Sequence, residues 1–461
     1  MTHSLFVQLF ILLGVSSVLW LGWAEAQREL VYSQERQQGN PLRGWMTYGG
    51  GKVSLEYSYF SMHTLMTGPN TFEWEELDGW IEDVAAKKRH VVFRVVVDYP
   101  GDPFYKAPTY LDLDYTDYTA YGDSGRYPDY TNEDFQDALV NFIAALGERY
   151  DGDQRIAAIK VGLLGYWGEW HMLEGFPSKA LQEKVLQAFD DAFDTTHVLV
   201  SVDALERSNG EELKNHQIGL HDDSYAGSTL QQSYPASVEQ GTDQRWKELM
   251  FGGELTYEVG GDQDTFFNKA SGLQKFLDTI EKMPVSWLLN EAIKDYGATA
   301  LERAREAESR MGYQYYVRSV AALSNGIEVE VENRGSTPFY YEISLEASID
   351  GGETVLTSST EDSNELAFLQ NGTSVVIFLP FEAAAGSSLD VTLALRSPML
   401  LDGQKIFFAN EEVEDDATLA VNGLVVSSET GDGGDGNDGG DGNDGGDGSG
   451  ASCLCSVRFG F

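Results

Sequence analysis

Cysteine is nearly missing. Cys453 and Cys455 are the only two in 461 residues, and a single residue separates them. A bridge between neighbours so close would be strained and would tie nothing together, so the fold owes nothing to disulfides. A C-x-C pair with no second Cys or His cluster nearby also falls short of the four ligands a zinc site needs, and no metal or other cofactor is expected. Basic residues are scarce too: 31 Lys and Arg stand against 74 Asp and Glu, a formal charge of -43. Such a surface repels phosphate backbones and anionic headgroups, which argues against nucleic acid as a partner. The plainest use of the acidity is a solvated surface suited to salty water. Beyond Trp23 no stretch is long and apolar enough to span a bilayer, and no G-x-G-x-x-G loop points to a dinucleotide.

The one long apolar run, Leu5 to Trp23, is followed by Ala24-Glu25-Ala26, a small-x-small pattern that a signal peptidase would cut before Gln27. Residues 1–26 therefore read as a signal peptide and the chain as secreted or extracellular. Met1 to Ser4 carries no Lys or Arg, and an uncut segment would instead anchor the chain at the cell surface. Asn371-Gly372-Thr373 is an N-glycosylation sequon, meaningful in a eukaryotic secretory pathway. At the other end, Gly431 to Gly450 repeats Gly, Asp and Asn with no apolar residue, and residues 427–461 are expected to be a disordered acidic tail.

What is present is ample material for a core: 42% of residues are hydrophobic, and 23 Tyr, 23 Phe and 9 Trp supply large surfaces to bury. The length fits one large and one smaller domain. From Leu42 onward β-rich runs alternate with helical patterns, which is the signature of repeated βα units. Strands are expected at Leu42–Tyr48, Val53–Phe60, Val91–Val97, Ile156–Leu164, His197–Val202, Gln217–Asp222, Leu249–Thr256 and Val285–Asn290. Between them, Phe135, Leu139, Phe142, Ile143 and Leu146 fall on one helix face after an Asn132 cap, and Leu181, Val185, Leu186, Phe189 and Phe193 do so after Ser178. Further helices are expected at Leu77–Lys88 and Thr299–Met311. Eight strands with helices predict a (β/α)8 barrel over residues 27–313. Past Met311 the period changes from 3.6 to 2, as in Ile327-Glu328-Val329-Glu330-Val331, and predicts an Ig-like β-sandwich over 314–426. Its short connection should hold it against the barrel, away from or beside the mouth.

Chemistry concentrates after strand four, where Tyr166-Trp167-Gly168-Glu169-Trp170-His171 places a carboxylate at the face that carries barrel active sites. Trp167 and Trp170 could offer flat faces to sugar rings and desolvate Glu169, raising its pKa toward a proton donor's. The plainer alternative makes both tryptophans core and Glu169 a surface loop residue. A second carboxylate, Glu254, ends strand seven after Gly252-Gly253, two glycines that would let a ligand approach closely. Two Glu there can flank one glycosidic bond, at roughly 5–5.5 Å in a retaining enzyme or roughly 6.5–9.5 Å in an inverting one. The alternative for Glu254 is a salt bridge to Arg43 or Arg94. Those two arginines are candidates to orient it, His171 and His221 to hydrogen-bond sugar hydroxyls, and Asn290 to close the active face at strand eight; each could equally be structural. Asp222 and Asp223 with His221 are a candidate metal cluster, but no further ligands can be placed beside them.

The combination of Asn40-Pro41-Leu42-Arg43-Gly44, Trp167-Gly168-Glu169-Trp170-His171, Asp222-Asp223-Ser224-Tyr225 and Gly252-Gly253-Glu254 resembles a mostly uncharacterised family of secreted glycosidase-like barrels followed by a β-sandwich, close to the β-galactosidase-type clan. The resemblance runs from Asn40 to Phe408. It implies Glu169 as general acid/base and Glu254 as nucleophile of a retaining glycosidase; beside that implication, position alone makes Arg43, Arg94, Trp167, Trp170, His171, His221, Asp222 and Asn290 candidates to bind the substrate. The chain departs from the clan at Gly168, where an Asn that contacts the sugar 2-hydroxyl commonly precedes the acid/base. Three functions are therefore carried forward: a glycoside hydrolase, a carbohydrate-binding barrel without turnover, and a structural extracellular protein.

Overall fold

The structure, a computed structural model, describes residues 27–35, 39–172, 174–206, 213–257, 263–352 and 354–430. The expected signal peptide and nearly all of the expected tail lie outside them. Among the described residues no helix is long and apolar enough to cross a membrane.

Eight parallel strands close into a barrel in chain order: one (Gly44–Thr47), two (Leu55–Ser61), three (His90–Val96), four (Ile156–Lys160), five (Val198–Ser201), six (Gly219–Tyr225), seven (Phe251–Leu255) and eight (Trp287–Leu289). Strand eight closes the ring on strand one through Trp287↔Gly44 and Leu289↔Met46. The outer helices form where the sequence provides both a cap and an apolar stripe. Glu133–Tyr150 starts with Asn132 accepting from the Phe135 amide and buries Phe135, Leu139, Phe142, Ile143 and Leu146. Lys179–Ala192 starts in the same way from Ser178 and buries Leu181, Val185, Leu186 and Phe189.

Inside the barrel, side chains stack in layers, because register partners on parallel strands point the same way. Tyr57, Val92 and Ala158 share one register row, and two residues further along the same strands lies the row Tyr59, Arg94 and Lys160. The first row is apolar apart from one phenol and belongs to the buried core; the second carries two cations. The change from apolar to charged marks where the packed interior ends and the site begins.

Two antiparallel four-stranded sheets make the second unit, in the orders Gln27–Glu29, Tyr315–Leu323, Gly326–Asn333, Ser374–Pro380 and Thr354–Thr357, Ser344–Ile349, Ser388–Arg396, Leu419–Val425. Val317, Val329 and Ile377 of one and Leu345, Leu393 and Leu419 of the other join a single buried cluster. Residues 27–29, expected with the barrel, instead form an edge strand here, with Gln27 opposite Ala321. The sandwich closes the N-terminal end of the barrel. The Tyr341 hydroxyl donates to the Ala157 carbonyl at 2.7 Å, Tyr313 to Pro41 at 2.9 Å and Ser336 to Val285 at 3.1 Å, and His90 Nε2 lies 2.8 Å from the Met399 carbonyl. Each barrel partner stands at or just before the start of a strand, so the opposite end is left as the mouth.

One element at the mouth has no counterpart among the expected strands. After strand three a hairpin of Tyr115–Ala120 and Asp123–Pro128 is inserted before the next helix. It is held to the loop after strand three where mid-strand Tyr118 donates to Asp98 Oδ1 at 2.8 Å and where, close to the turn, the Ser124 carbonyl accepts from the Gly101 amide.

Candidate active site

The segment after strand four is backbone under strain. Leu163, Trp167 and Trp170 all have φ between +51° and +68°, the left-handed region that disfavours side chains, and Gly165 and Gly168 lie there too. Three such non-glycine residues cost about 1–3 kcal/mol each and persist only when surroundings over-determine them. Here the segment is cross-tied: Tyr166 N donates to His171 O, Trp170 N to Leu164 O and Glu169 N to Tyr166 O, while the Trp167 carbonyl accepts from Arg94 at 3.1 Å. The result sets Glu169 over the barrel with its side chain 17% exposed.

Beneath Glu169 lies a chain of buried charges. Arg94 reaches Glu169 Oε1 at 3.4 Å with one nitrogen and Asp223 Oδ2 at 2.8 Å with the other. Lys160, fully buried, donates to Asp223 Oδ1 at 2.7 Å and to Glu254 Oε1 at 2.6 Å. The Tyr59 hydroxyl lies 3.5 Å from the same Glu254 oxygen, and the Tyr57 ring lies 4.7 Å from the ammonium. Glu169 and Glu254 are thus the two ends of one network, Glu169–Arg94–Asp223–Lys160–Glu254, carrying two cations among three carboxyl groups.

That imbalance separates the carboxyls. Burial alone would raise Asp223, but Arg94, His221 and Lys160 overcome it and hold Asp223 well below the ordinary carboxylate range. Burial, with the Asp223 charge second, pushes Glu169 up to about 8 against the pull of Arg94 and His171. Burial also raises Glu254, with Lys160 drawing it back toward ionisation. The direction of the Glu169 shift favours its protonated form near neutral pH. His171 Nδ1 lies 3.1 Å from Asp203 and 3.8 Å from Glu169; burial disfavours its charge, yet these carboxylates raise its pKa. His221 is driven by burial down to about 3 and stays neutral, its Nδ1 3.1 Å from Asp223.

The structure brings Glu169, Arg94, His221 and Glu254 into the network, with Trp167 and His171 beside Glu169, and it corrects the other expectations. Arg43 does not reach Glu254: it precedes strand one, at the closed end, where its guanidinium donates to the carbonyls of Met311 and Glu308. The cation closest to Glu254 is Lys160, which the sequence reading does not single out. Trp170 is fully buried in the barrel's outer core and presents no face to a ligand. Asp222 points to the outer side of strand six, where it accepts from the Ser224 amide and the Thr229 hydroxyl, and burial raises it to about 7. Asn290 is buried with Oδ1 accepting from Tyr296 at 3.3 Å, and among the described residues it makes no bond to the network. Gly252 serves packing rather than ligand approach, since a Cβ there would lie 2.6 Å from the Trp287 ring. Gly168 is fixed by the same logic: at φ +71°, its Cβ would meet Gly162 Cα at 2.9 Å and Arg94 Cδ at 3.1 Å, so no Asn fits before Glu169. Among the described residues no cluster of His, Cys, Asp and Glu could hold a metal ion.

No protein-family model matches the sequence, and no curated protein matches it. Among solved structures, the catalytic domain of a β-amylase from Paenibacillus polymyxa aligns at 11% identity over 55% of this chain and 90% of its own, with a TM-score of 0.38. A Cellvibrio japonicus xylanase in complex with xylopentaose aligns at 10% identity, 61% of this chain, 66% of its own and a TM-score of 0.37. A thermostable mutant xylanase of the same organism gives 11%, 60%, 99% and 0.36. With scores this low the assignment of a barrel rests on the strand order and closure described above.

Proposed function

We propose that the protein is a retaining glycoside hydrolase, with Glu169 as general acid/base and Glu254 as nucleophile. The observation that carries this reading is the charged chain joining the two carboxyls. Arg94 lies closer to Asp223 than to Glu169, which favours the protonated form of Glu169, while Lys160, shared between Asp223 and Glu254, supports the anionic form of Glu254. In the first step Glu254 attacks the anomeric carbon as Glu169 gives its proton to the leaving oxygen, and the glycosidic bond becomes an ester to Glu254. Forming that ester removes the Glu254 charge, one of the groups that raise Glu169, so the Glu169 pKa falls and its carboxylate, having given up its proton, stays ionised and available as general base. It then takes a proton from water, whose oxygen attacks the anomeric carbon and releases Glu254. The exposed tyrosines at the mouth suit sugar faces. The apolar run at residues 5–23 supports an extracellular site of action, and the resemblance to secreted glycosidase-like barrels belongs to the same reading.

A second reading is favoured by one observation: Glu254 is 2% exposed, with Lys160 and Tyr59 both on Oε1. In it the barrel binds glycan without cleaving it. A panel of aryl glycosides separates the two. A hydrolase turns over at least one; Glu254→Ala then abolishes turnover and recovers part of it with azide, giving inverted glycosyl azide, while Glu169→Ala spares the first step only for good leaving groups. Glycan binding by the wild-type chain with no turnover on the panel would establish the binding reading instead.

A further inference from the structure

Exposed aromatic rings are concentrated at one place on this molecule. Among the described residues the exposed aromatic side chains are Tyr48, Phe104, Tyr121, Tyr257 and Phe368, and all but Phe368 follow the C-terminal end of a barrel strand. Several of the mouth rings are continuous. Tyr121 lies 5.5 Å from Trp167 between ring centres, Trp167 6.2 Å from Tyr99, Tyr99 is stacked at 4.8 Å on Tyr105, and Tyr105 lies 5.4 Å from Phe104. Each step is comparable to one sugar ring. The row passes the proposed catalytic groups, since Trp167 stands two residues before Glu169 and Tyr99 also packs on Tyr59, the neighbour of Glu254.

The far end of the row is a built feature. Tyr121 and Gly122 form the two-residue turn of the inserted hairpin, with φ of +55° and +93°. Such turns select Asn, Asp or Gly at the first position because a bulky side chain is strained there. A tyrosine 67% exposed at that position gains little from burial, so packing does not account for the strain. The hairpin is braced below the tip, where Tyr118 contacts Asp98 and packs on Tyr166 at 4.4 Å. The tip is therefore held over the segment that carries Glu169.

We propose that Tyr121, Trp167, Tyr99, Tyr105 and Phe104 form a platform for a neutral glycan chain several sugars long, with Tyr121 stacking on a unit remote from the bond to be cleaved. Neutrality follows from charge. The cations nearest the catalytic groups, Arg94 and Lys160, are fully buried and engaged by carboxyl groups, Lys106 beside Tyr105 is half-buried, and a chain of formal charge -43 repels uronic or sulfated polymers. The proposal takes the ligand class from the hydrolase or glycan-binding reading, yet it stands apart from turnover.

The test is affinity electrophoresis of the full chain through gels containing soluble β-glucan, xylan, galactan or galactomannan, with polygalacturonate as the acidic control. Titration calorimetry follows with oligosaccharides of increasing length from the polymer that retards it. The expected result is retardation by a neutral polymer alone and affinity that climbs over several sugar units. Tyr121→Ala and Phe104→Ala should each weaken the long ligand roughly tenfold, in proportion to one lost aromatic contact, with melting temperatures unchanged. Retardation by no neutral polymer, retardation by polygalacturonate alone, affinity that saturates at one or two units, or unaltered binding by both variants would overturn the platform. The hydrolase reading fails separately: length-dependent binding without turnover leaves the platform standing, and turnover of short aryl glycosides without length dependence leaves only the hydrolase.

Discussion

Asp223→Asn removes the carboxylate that Arg94 and Lys160 share while keeping its size and part of its hydrogen bonding. Two effects on Glu169 then run in the same direction. The Asp223 charge no longer opposes its ionisation, and Arg94, relieved of its 2.8 Å partner, is free to serve the 3.4 Å contact to Glu169. A like charge within roughly 4–6 Å shifts a carboxyl by about one to three pKa units. At about 1.4 kcal/mol per unit that is about 1.4–4 kcal/mol of interaction, which solvent at the partly exposed Glu169 reduces. Starting from about 8, Glu169 should fall by at least one unit, so the alkaline limb of kcat/KM moves to lower pH. A carbon-13 NMR titration of Glu169 reads the same shift without requiring turnover. Because the substitution unbalances a buried ion network, a loss of about 3–5 kcal/mol in stability should accompany it, visible as a lower melting temperature in a chain that still folds at 25 °C. If Glu169 in the Asp223→Asn variant titrates as in the wild type, the claim that Asp223 sets the donor is refuted.

Other consequences follow from the same packing. Asp98, raised by burial to about 7, stabilises the fold in its protonated form; that contribution is complete below its unfolded pKa of about 4 and is lost as pH rises through about 7, so wild-type melting temperature should decline across this window and decline less in Asp98→Asn, by up to a few kcal/mol. Differential scanning calorimetry from pH 4 to pH 8 checks it, and parallel curves would contradict it. Gly252→Ala drives a methyl into the Trp287 ring and should cost about 1–3 kcal/mol in urea unfolding while leaving glycan affinity untouched; the opposite pattern would restore the ligand-approach role for this glycine.

The barrel is legible in the sequence because buried parallel strands are nearly continuous apolar runs. The charges that interrupt such runs are the most informative residues of all. Arg94 stands out in Val91-Val92-Phe93-Arg94-Val95, and Lys160 carries the same signal at the end of Ile156-Ala157-Ala158-Ile159-Lys160. Strand alternation separates Asp223 from Asp222: Leu220 packs outward, hence Asp222 does too, and His221 and Asp223 face in. Position alone sets Arg43 aside, since it precedes a strand and barrel chemistry gathers at strand ends. The hairpin at 115–128 is hidden because most of its residues are exposed or only half-buried, so it lacks the apolar alternation by which strands are recognised. Trp170 and Trp167 cannot be told apart by pattern, because the left-handed turns between them send one ring into the core and the other to the mouth.

The most direct test of the central claim is a covalent trap. A 2-deoxy-2-fluoro glycoside with a good leaving group, built on the sugar that the aryl glycoside panel selects, slows breakdown of the glycosyl ester enough for the labelled protein to be digested and its peptides weighed. The predicted result is one added fluorosugar on the peptide containing Glu254, absent from Glu254→Ala and still formed at the same residue by Glu169→Ala, whose first step the good leaving group spares. A label on Glu169 or Asp223, or steady turnover with no trapped ester, would contradict the assignment of Glu254 as nucleophile.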